Sequence, residues 1–231
     1  QLHLDRLNEA VAAEYPYPED RFAGRGIVIG AGGAKFFTCA WAAVAVLRHL
    51  GCTLPVEFWV LGRHELDPLM EAAAESIGVR IVDASEVCAK LEKPPRILNG
   101  WELKPFSVIH SAFEEVLYLD ADCMCASDPT FLFDCGPYLS WGAVFWPDLP
   151  PNTRSEWIPS DVWERIGLVP RNEVDFESGQ FLVHKRRCWK ELQVTMHLNE
   201  YSDYWYTHVY GDKSTYHLAW QKLGTRYAIP S

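Results

Sequence analysis

Two carboxylates one residue apart, Asp120 and Asp122, follow directly on the apolar run Val116-Leu117-Tyr118-Leu119. That run has the length and residue types of a buried strand. Side chains alternate along a strand, so Asp120 and Asp122 project to the same side, one step apart. Carboxylates held that close repel, and loss of water worsens the repulsion. A hard divalent cation (Mg²⁺, Mn²⁺ or Ca²⁺) removes the conflict by sharing their oxygens. The pair also fits a plainer role, in which one Asp caps the next turn and the other is solvated. The rest of the chain has to decide.

Other residues fit the same chemistry. Gly26-Ile27-Val28-Ile29-Gly30 reads as a short strand, followed by the turn Ala31-Gly32-Gly33-Ala34-Lys35 and an Ala-rich helix to about residue 50. Strand, glycine turn and helix N-terminus together accept a phosphate or let backbone approach a nucleotide. The spacing is neither a Walker loop nor a dinucleotide fingerprint, and a tight turn needing positive φ explains it equally simply. Lys104, ahead of Pro105 in a segment leading into the acidic strand, is a candidate partner for a diphosphate. Glu177-Ser178-Gly179-Gln180 abuts another apolar strand, where Gly179 permits close backbone approach. Asp212 stands just before a helix starting near Ser214, so a helix cap competes with any catalytic role. Between 147 and 175 the chain is rich in Pro, Trp and Asp, including Asp148, Trp157 and Trp163. Long irregular loops are often functional, and carboxylates with exposed aromatics suit sugar rings; a satellite core of tryptophans is the competing role.

The elements that must position these residues alternate. Strands are expected at 26–30, 56–61, 78–82, 113–119, 142–146, 176–185 and 227–229. Helices are expected at about 35–50, 66–77, 101–112, 186–200 and 214–223, with a capped turn and short apolar helix after Asp128. Such alternation implies an α/β fold with a mostly parallel sheet flanked by helices on both faces. Ligands in these sheets bind at the C-terminal ends of strands, where both Asp120-Ala121-Asp122 and Gly30 to Gly33 fall. Residues 1–24 read as a short helix and surface arm, and 25–231 as a single domain.

Composition narrows the function. The 231 residues are 48% hydrophobic and 23% charged, enough for a large core. A formal net charge of −10 argues against an extended nucleic-acid contact. It leaves room for a phosphorylated ligand, because a metal and a few local cations reverse the field within one cleft. No run reaches the length of a membrane span. The seven cysteines are scattered and odd in number, unlike a disulfide framework, and Cys123 and Cys125 lack zinc-site spacing.

With Leu117-Tyr118-Leu119-Asp120-Ala121-Asp122, Asp128-Pro129 and Leu132-Phe133, the chain resembles a GT-A glycosyltransferase with a DxD motif. The Lys104 segment is similar to the corresponding helix of glycogenin-like and lipopolysaccharide galactosyltransferase-like enzymes. The greatest resemblance is to the fungal-type alpha-mannosyltransferase family. It is carried also by Leu54-Pro55-Val56-Glu57-Phe58-Trp59, Glu177-Ser178-Gly179-Gln180 and Gly211-Asp212-Lys213-Ser214-Thr215, in the expected order over residues 25–230. One DxD is a weak signal, whereas ordered segments across the sheet are specific.

The resemblance implies a GT-A (Rossmann-like) fold, a nucleotide-diphosphate sugar donor (GDP-mannose or a UDP-hexose), Mn²⁺ or Mg²⁺, and transfer with retention to a glycan or other hydroxyl acceptor. Asp120 and Asp122 would hold the metal. Gly30, Ala31, Gly33, Lys35, Lys104 and Ala121 would line the nucleotide-sugar. Asp212, Glu177 and Gln180 would face the donor sugar and the acceptor, with no covalent nucleophile assigned. Relatives usually supply a third metal ligand, often His, after the last strand. Here it is expected from a tail beyond Ser231, with His208 or His217 as substitutes. A nucleotidyltransferase, or a carbohydrate-binding protein without catalysis, are the competing functions. Unpaired cysteines and the lack of Asn-x-Ser/Thr sites favour the cytoplasm, whereas the fungal resemblance implies the Golgi lumen, with membrane association only through a segment outside this chain.

Overall fold

Ile27 to Ile29, Phe58 to Val60 and Val116 to Leu119 are all buried, which makes these runs central strands covered on both faces. The structure, a computed structural model, describes residues 1–148, 158–171 and 173–230. The chain opens with α1 (Leu2–Ala12), β1 (Arg25–Gly30), α2 (Gly33–His49) and β2 (Val56–Val60). Then come α3 (Pro68–Ser76), β3 (Val79–Asp83), α4 (Ala84–Cys88), α5 (Leu103–His110) and β4 (Glu115–Leu119). The remainder comprises α6 (Gly136–Trp141), β5 (Ala143–Pro147), α7 (Ser160–Arg165), β6 (Phe176–His184), α8 (Trp189–Glu200), α9 (Ser202–Trp205) and α10 (Lys213–Leu223).

The six strands among the described residues order as β3-β2-β1-β4-β6-β5. β3, β2, β1 and β4 run parallel, while β6 is antiparallel to both β4 and β5. Reversal of β6 brings its first residues to the edge where β1 and β4 end. Glu177 therefore meets Asp120 although the two lie at opposite ends of their strands.

Alternation on β4 sorts the core. Leu117 and Leu119 pack with Phe37, Val44 and Leu47 of α2. Val116 and Tyr118 point the other way, to Phe106 of α5, Leu192 of α8 and Tyr216 of α10. Asp120 continues the parity of Tyr118 and so faces α5 and α10. Between β5 and β6 the register slips: Phe145 pairs with Phe181, but Trp146 pairs with Glu177. Ser178, Gly179 and Gln180 thus form a bulge at the rim of the sheet, a place where bulges re-aim side chains.

Two expectations change, and one open choice is decided. The final strand at 227–229 reduces to a single bridge, Ala228 to Val144, with Pro230 next in line. Trp163 is 1% exposed and stacks edge-on to His217, so it belongs to the core. Trp157 lies outside the described residues. Residues 1–24 lie against the domain, with Leu7 and Phe22 in the core and α1 packed on α8.

Candidate functional site

An open cleft of about 690 Å³ lies over the strand ends of β1, β2, β4 and β6. Its centre is Lys104 on α5. The ammonium is buried and lies 3.1 Å from Asp120 Oδ1 and 3.2 Å from Asp212 Oδ2. It also donates to Ser178 Oγ at 2.9 Å and Ser178 O at 3.1 Å. Burial alone would lower the Lys104 pKa, but Asp212 and Asp120 outweigh it and hold the group above its ordinary value. Asp120 is shifted upward by burial, and by Asp212, against the pull of Lys104.

The sheet parity that turns Asp120 toward α5 explains the first contact. The second comes from the start of α10. Asp212 occupies the position before the first helical residue, yet its side chain makes no capping bond. Its carboxylate, 6% exposed for the whole residue, goes to Lys104 instead. The cap explanation for Asp212 is thereby excluded.

Glu177 forms a second cluster. Its Oε1 accepts from the Gly179 N–H at 2.6 Å, a contact formed within the bulge. A Cβ on Gly179 would stand 3.0 Å from Glu177 Oε1 and 3.4 Å from Asp120 Oδ2, so the glycine lets both carboxyls approach. Burial, and the hydrogen-bonded Asp148 carboxyl beside it, raise the Glu177 pKa. Asp148 is also ion-paired with Lys213.

Of the residues anticipated from sequence, Gly30, Lys104, Asp120, Ala121, Asp122, Glu177 and Asp212 line the cleft. Ala31, Gly33, Lys35 and Gln180 do not. Ala31 is fully buried and its N–H is taken by Trp59 O at 2.8 Å. Gly33 opens α2 with φ +75°, and exposed Lys35 holds its ammonium 5.3 Å from the Phe36 ring centroid. Gln180 alternates with Phe181 and so shares the side of Leu182, opposite Lys104. Its neighbour in the bulge, Ser178, is the residue that reaches the site.

Asp122 is exposed and makes no hydrogen bond or ion pair among the described residues, whereas Asp120 is half-buried. Two hard-oxygen donors facing one cleft fit Mg²⁺ or Mn²⁺, whose remaining positions phosphate oxygens and water would fill. Among the described residues no cluster of three His, Cys, Asp or Glu side chains is placed to hold a metal. Neither histidine substitutes. His217 is buried with Nδ1 3.1 Å from Asp175 and Nε2 3.3 Å from Glu173, and His208 packs on the Tyr204 ring.

Sequence reasoning passed over Phe36, Trp101 and Tyr210, which line the cleft while 51%, 59% and 78% exposed. Their only signal was adjacency: Trp101 lies one helical turn before Lys104 and Tyr210 two residues before Asp212.

A parallel sheet extended by an antiparallel strand, with carboxylates at the ends of β4 and β6, is the GT-A fold of glycosyltransferases. The galactosyltransferase LgtC, solved with donor and acceptor sugar analogues, superposes with a TM-score of 0.59 at 16% identity, covering 89% of this chain and 73% of that one. A 4-diphosphocytidyl-2C-methyl-D-erythritol synthase from Anaerococcus prevotii gives 0.52 at 12% identity, covering 90% and 88%. A mannosyltransferase family model matches residues 24–161, and the chain belongs to that family. Alpha-1,2-mannosyltransferase MNN21 of Candida albicans is 26% identical over 91% of this chain and 39% of its own length. Alpha-1,2-mannosyltransferase MNN2 of Saccharomyces cerevisiae is 24% identical over 92% and 43%. The chain thus spans about two fifths of these relatives.

Proposed function

We propose that the chain is the catalytic core of a metal-dependent retaining hexosyltransferase that moves mannose from a nucleotide-diphosphate donor, GDP-mannose before a UDP-hexose, to a hydroxyl of a glycan. The observation that carries this reading is Lys104, buried between Asp120 and Asp212 beside the free carboxylate of Asp122. A fixed cation, two carboxylates for a metal and a third for sugar hydroxyls are what glycosyl transfer needs at one point. Mannose and the glycan acceptor rest on the relatives' names.

In the reaction the bond from the sugar C1 to the diphosphate oxygen breaks and the acceptor oxygen bonds to C1. The acceptor proton passes to an oxygen of the departing diphosphate. Asp120 and Asp122 would hold Mn²⁺ or Mg²⁺, which when bound stabilises the charge left on the diphosphate. Lys104 fixes the orientation of Asp120 and Asp212, so the carboxylates are set before substrate arrives. Asp212 accepts hydrogen bonds from sugar hydroxyls, and Glu177 orients the acceptor. The synthase of the same fold means that architecture by itself does not select sugar transfer over nucleotide transfer. Lys104 with Asp212 favours the former, since a nucleotidyltransferase would want several cations around a triphosphate.

Thiol chemistry bears on the compartment. All seven cysteines are free, including buried Cys52 and Cys188, which favours the cytoplasm over the Golgi lumen. Among the described residues no helix is long and apolar enough to cross a membrane. Thiol alkylation of the natural protein under non-reducing conditions separates the two compartments.

Thermal-shift titration with GDP, UDP and cytidine or guanosine triphosphate, with and without Mn²⁺, tests the function. A diphosphate at about a hundredfold its Kd adds roughly 2.7 kcal/mol of stability. Asp122→Asn is expected to abolish that metal-dependent gain with the unliganded midpoint unchanged. An Asp122→Asn protein that binds diphosphate and Mn²⁺ like the parent removes the metal role, and preference for a triphosphate removes sugar transfer.

A further inference from the structure

The cleft has two ends, set by the strand order. Phe36 and Leu61 stand over the β1 and β2 half, whereas Lys104 is tied to Asp120 of the β4 end and Ser178 of β6. Over this second half sit Trp101 and Tyr210. The Trp101 ring is held from behind. The Trp101 ring rests on Gly211, whose φ is +66°, and a Cβ there would stand 2.9 Å from ring atom Cε3. Tyr206 flanks the same ring at a centroid distance of 6.0 Å. Tyr210 has the Lys213 ammonium 5.1 Å from its ring centroid.

Exposed aromatic area in a polar cleft is costly to solvate unless a ligand covers it. Here the neighbouring polar groups are Asp212 and Lys104, an acceptor and a donor held in fixed geometry. An apolar ring face edged by such groups matches a hexopyranose, which offers a face of C–H groups and a rim of hydroxyls. A nucleobase needs the aromatic face but has little use for a carboxylate already paired with lysine.

We propose that Trp101 and Tyr210 form a sugar-binding platform on which one hexopyranose ring of the reaction stacks while Asp212 receives its hydroxyls. The inference rests on the hexosyl-transfer reading and adds specificity residues to it. Gly211 belongs to the same unit, because any side chain there would displace Trp101. The ring seated on the platform comes either from the donor or from the acceptor, and the two sources separate kinetically.

The test uses Trp101→Ala, Tyr210→Ala and the conservative Trp101→Phe in the full chain, with folding checked by thermal midpoint. Steady-state rates are measured against GDP-mannose and a mannobiose acceptor, alongside GDP affinity with Mn²⁺. An aromatic stacking contact is worth about a tenfold change in affinity. Trp101→Ala is expected to raise one sugar substrate's KM about tenfold, with GDP affinity unchanged and Trp101→Phe restoring most of the loss. A rise for GDP-mannose alone assigns the donor hexose; a rise for mannobiose alone assigns the acceptor. If neither KM moves, or GDP affinity falls in the same proportion, the platform is refuted. Binding of methyl α-mannoside and mannobiose, followed by tryptophan fluorescence, needs no turnover. If the parent transfers no hexose yet binds these sugars in a Trp101-dependent way, the functional reading fails and the platform stands; absence of sugar binding then overturns the platform as well.

Discussion

Replacing Lys104 by Met isolates the interaction on which the site depends. Methionine keeps most of the side-chain volume and removes the ammonium, leaving Asp120 and Asp212 facing each other without a cation. Ser178 loses its donor at 2.9 Å as well. Taking one partner from a buried ion pair costs about 3–5 kcal/mol. The side chain of Asp212 is 9% exposed and Asp120 36%, so solvent screens the second carboxylate and the low end of that range applies. At roughly 2–4 °C per kcal/mol for a domain of this size, a loss near 3 kcal/mol lowers the thermal midpoint by about 6–12 °C. The partner experiment is Lys104→Met with Asp212→Asn. Removing both charges relieves the repulsion, so the double variant is expected to be more stable than Lys104→Met alone, with a coupling energy of about 1–2 kcal/mol. Urea denaturation of the four proteins of the cycle supplies the number. Coupling below about 0.5 kcal/mol would mean that Lys104 and Asp212 do not sense each other, and the central contact of the site would be wrong.

Asp212→Asn by itself is expected to reduce kcat by about 10²-fold or more while leaving donor KM within a few-fold, because on the proposed reading it removes a group that touches sugar rather than nucleotide. An equal rise in donor KM would place it on the nucleotide. His217 gives a pH signature: burial opposes its charge, but Asp175 and Glu173 prevail and raise its pKa above 6.5. A raised folded-state pKa means the contribution is complete below pH 6.5 and is lost as pH climbs through the folded value. The stability difference between parent and His217→Gln, followed by urea denaturation from pH 5.5 to 9, is therefore expected to shrink as pH rises; a flat difference would show that the histidine does not titrate in that window. Chelation by EDTA is expected to remove nucleoside diphosphate binding measured by calorimetry, and equal affinity with and without chelator would contradict the charge balance of the cleft.

How much of this the residues announced depends on whether a feature is local. The strands of the parallel half were legible from their short apolar runs, such as Ile27 to Ile29 and Val116 to Leu119. Asp120 was legible because it ends such a run. The direction of β6 was not, since a strand reads the same whether its neighbour runs with it or against it. Only antiparallel pairing carries Glu177 to the cleft. Gln180 shows the cost of reading a motif as a unit: the bulge hands the site to Ser178 and turns Gln180 to the other face. Asp212 was ambiguous for a different reason. Before a helix, an Asp is a good cap, and only a lysine more than a hundred residues earlier draws it away. Trp163 and Trp101 have the same side chain and opposite fates, decided by tertiary packing that no local pattern encodes.

The charge of the cleft supports the proposed metal independently of the family resemblance. Six carboxylates and two ammonium groups line it among the described residues: Glu65, Asp120, Asp122, Asp148, Glu177 and Asp212 against Lys104 and Lys213. Both ammonium groups are already engaged, Lys104 with Asp120 and Asp212, Lys213 with Asp148. A nucleoside diphosphate brings further negative charge into this field, on a chain whose formal net charge is −10. Among the described residues that line the cleft no unengaged ammonium offsets it, which supports the proposal that such a ligand arrives with a cation. Asp122 is where that cation has room, exposed and without a competing partner among the described residues. The buried lysine then has a different task from the one its charge suggests. On the proposed reading it neutralises Asp120 and Asp212, and a divalent ion would meet the diphosphate.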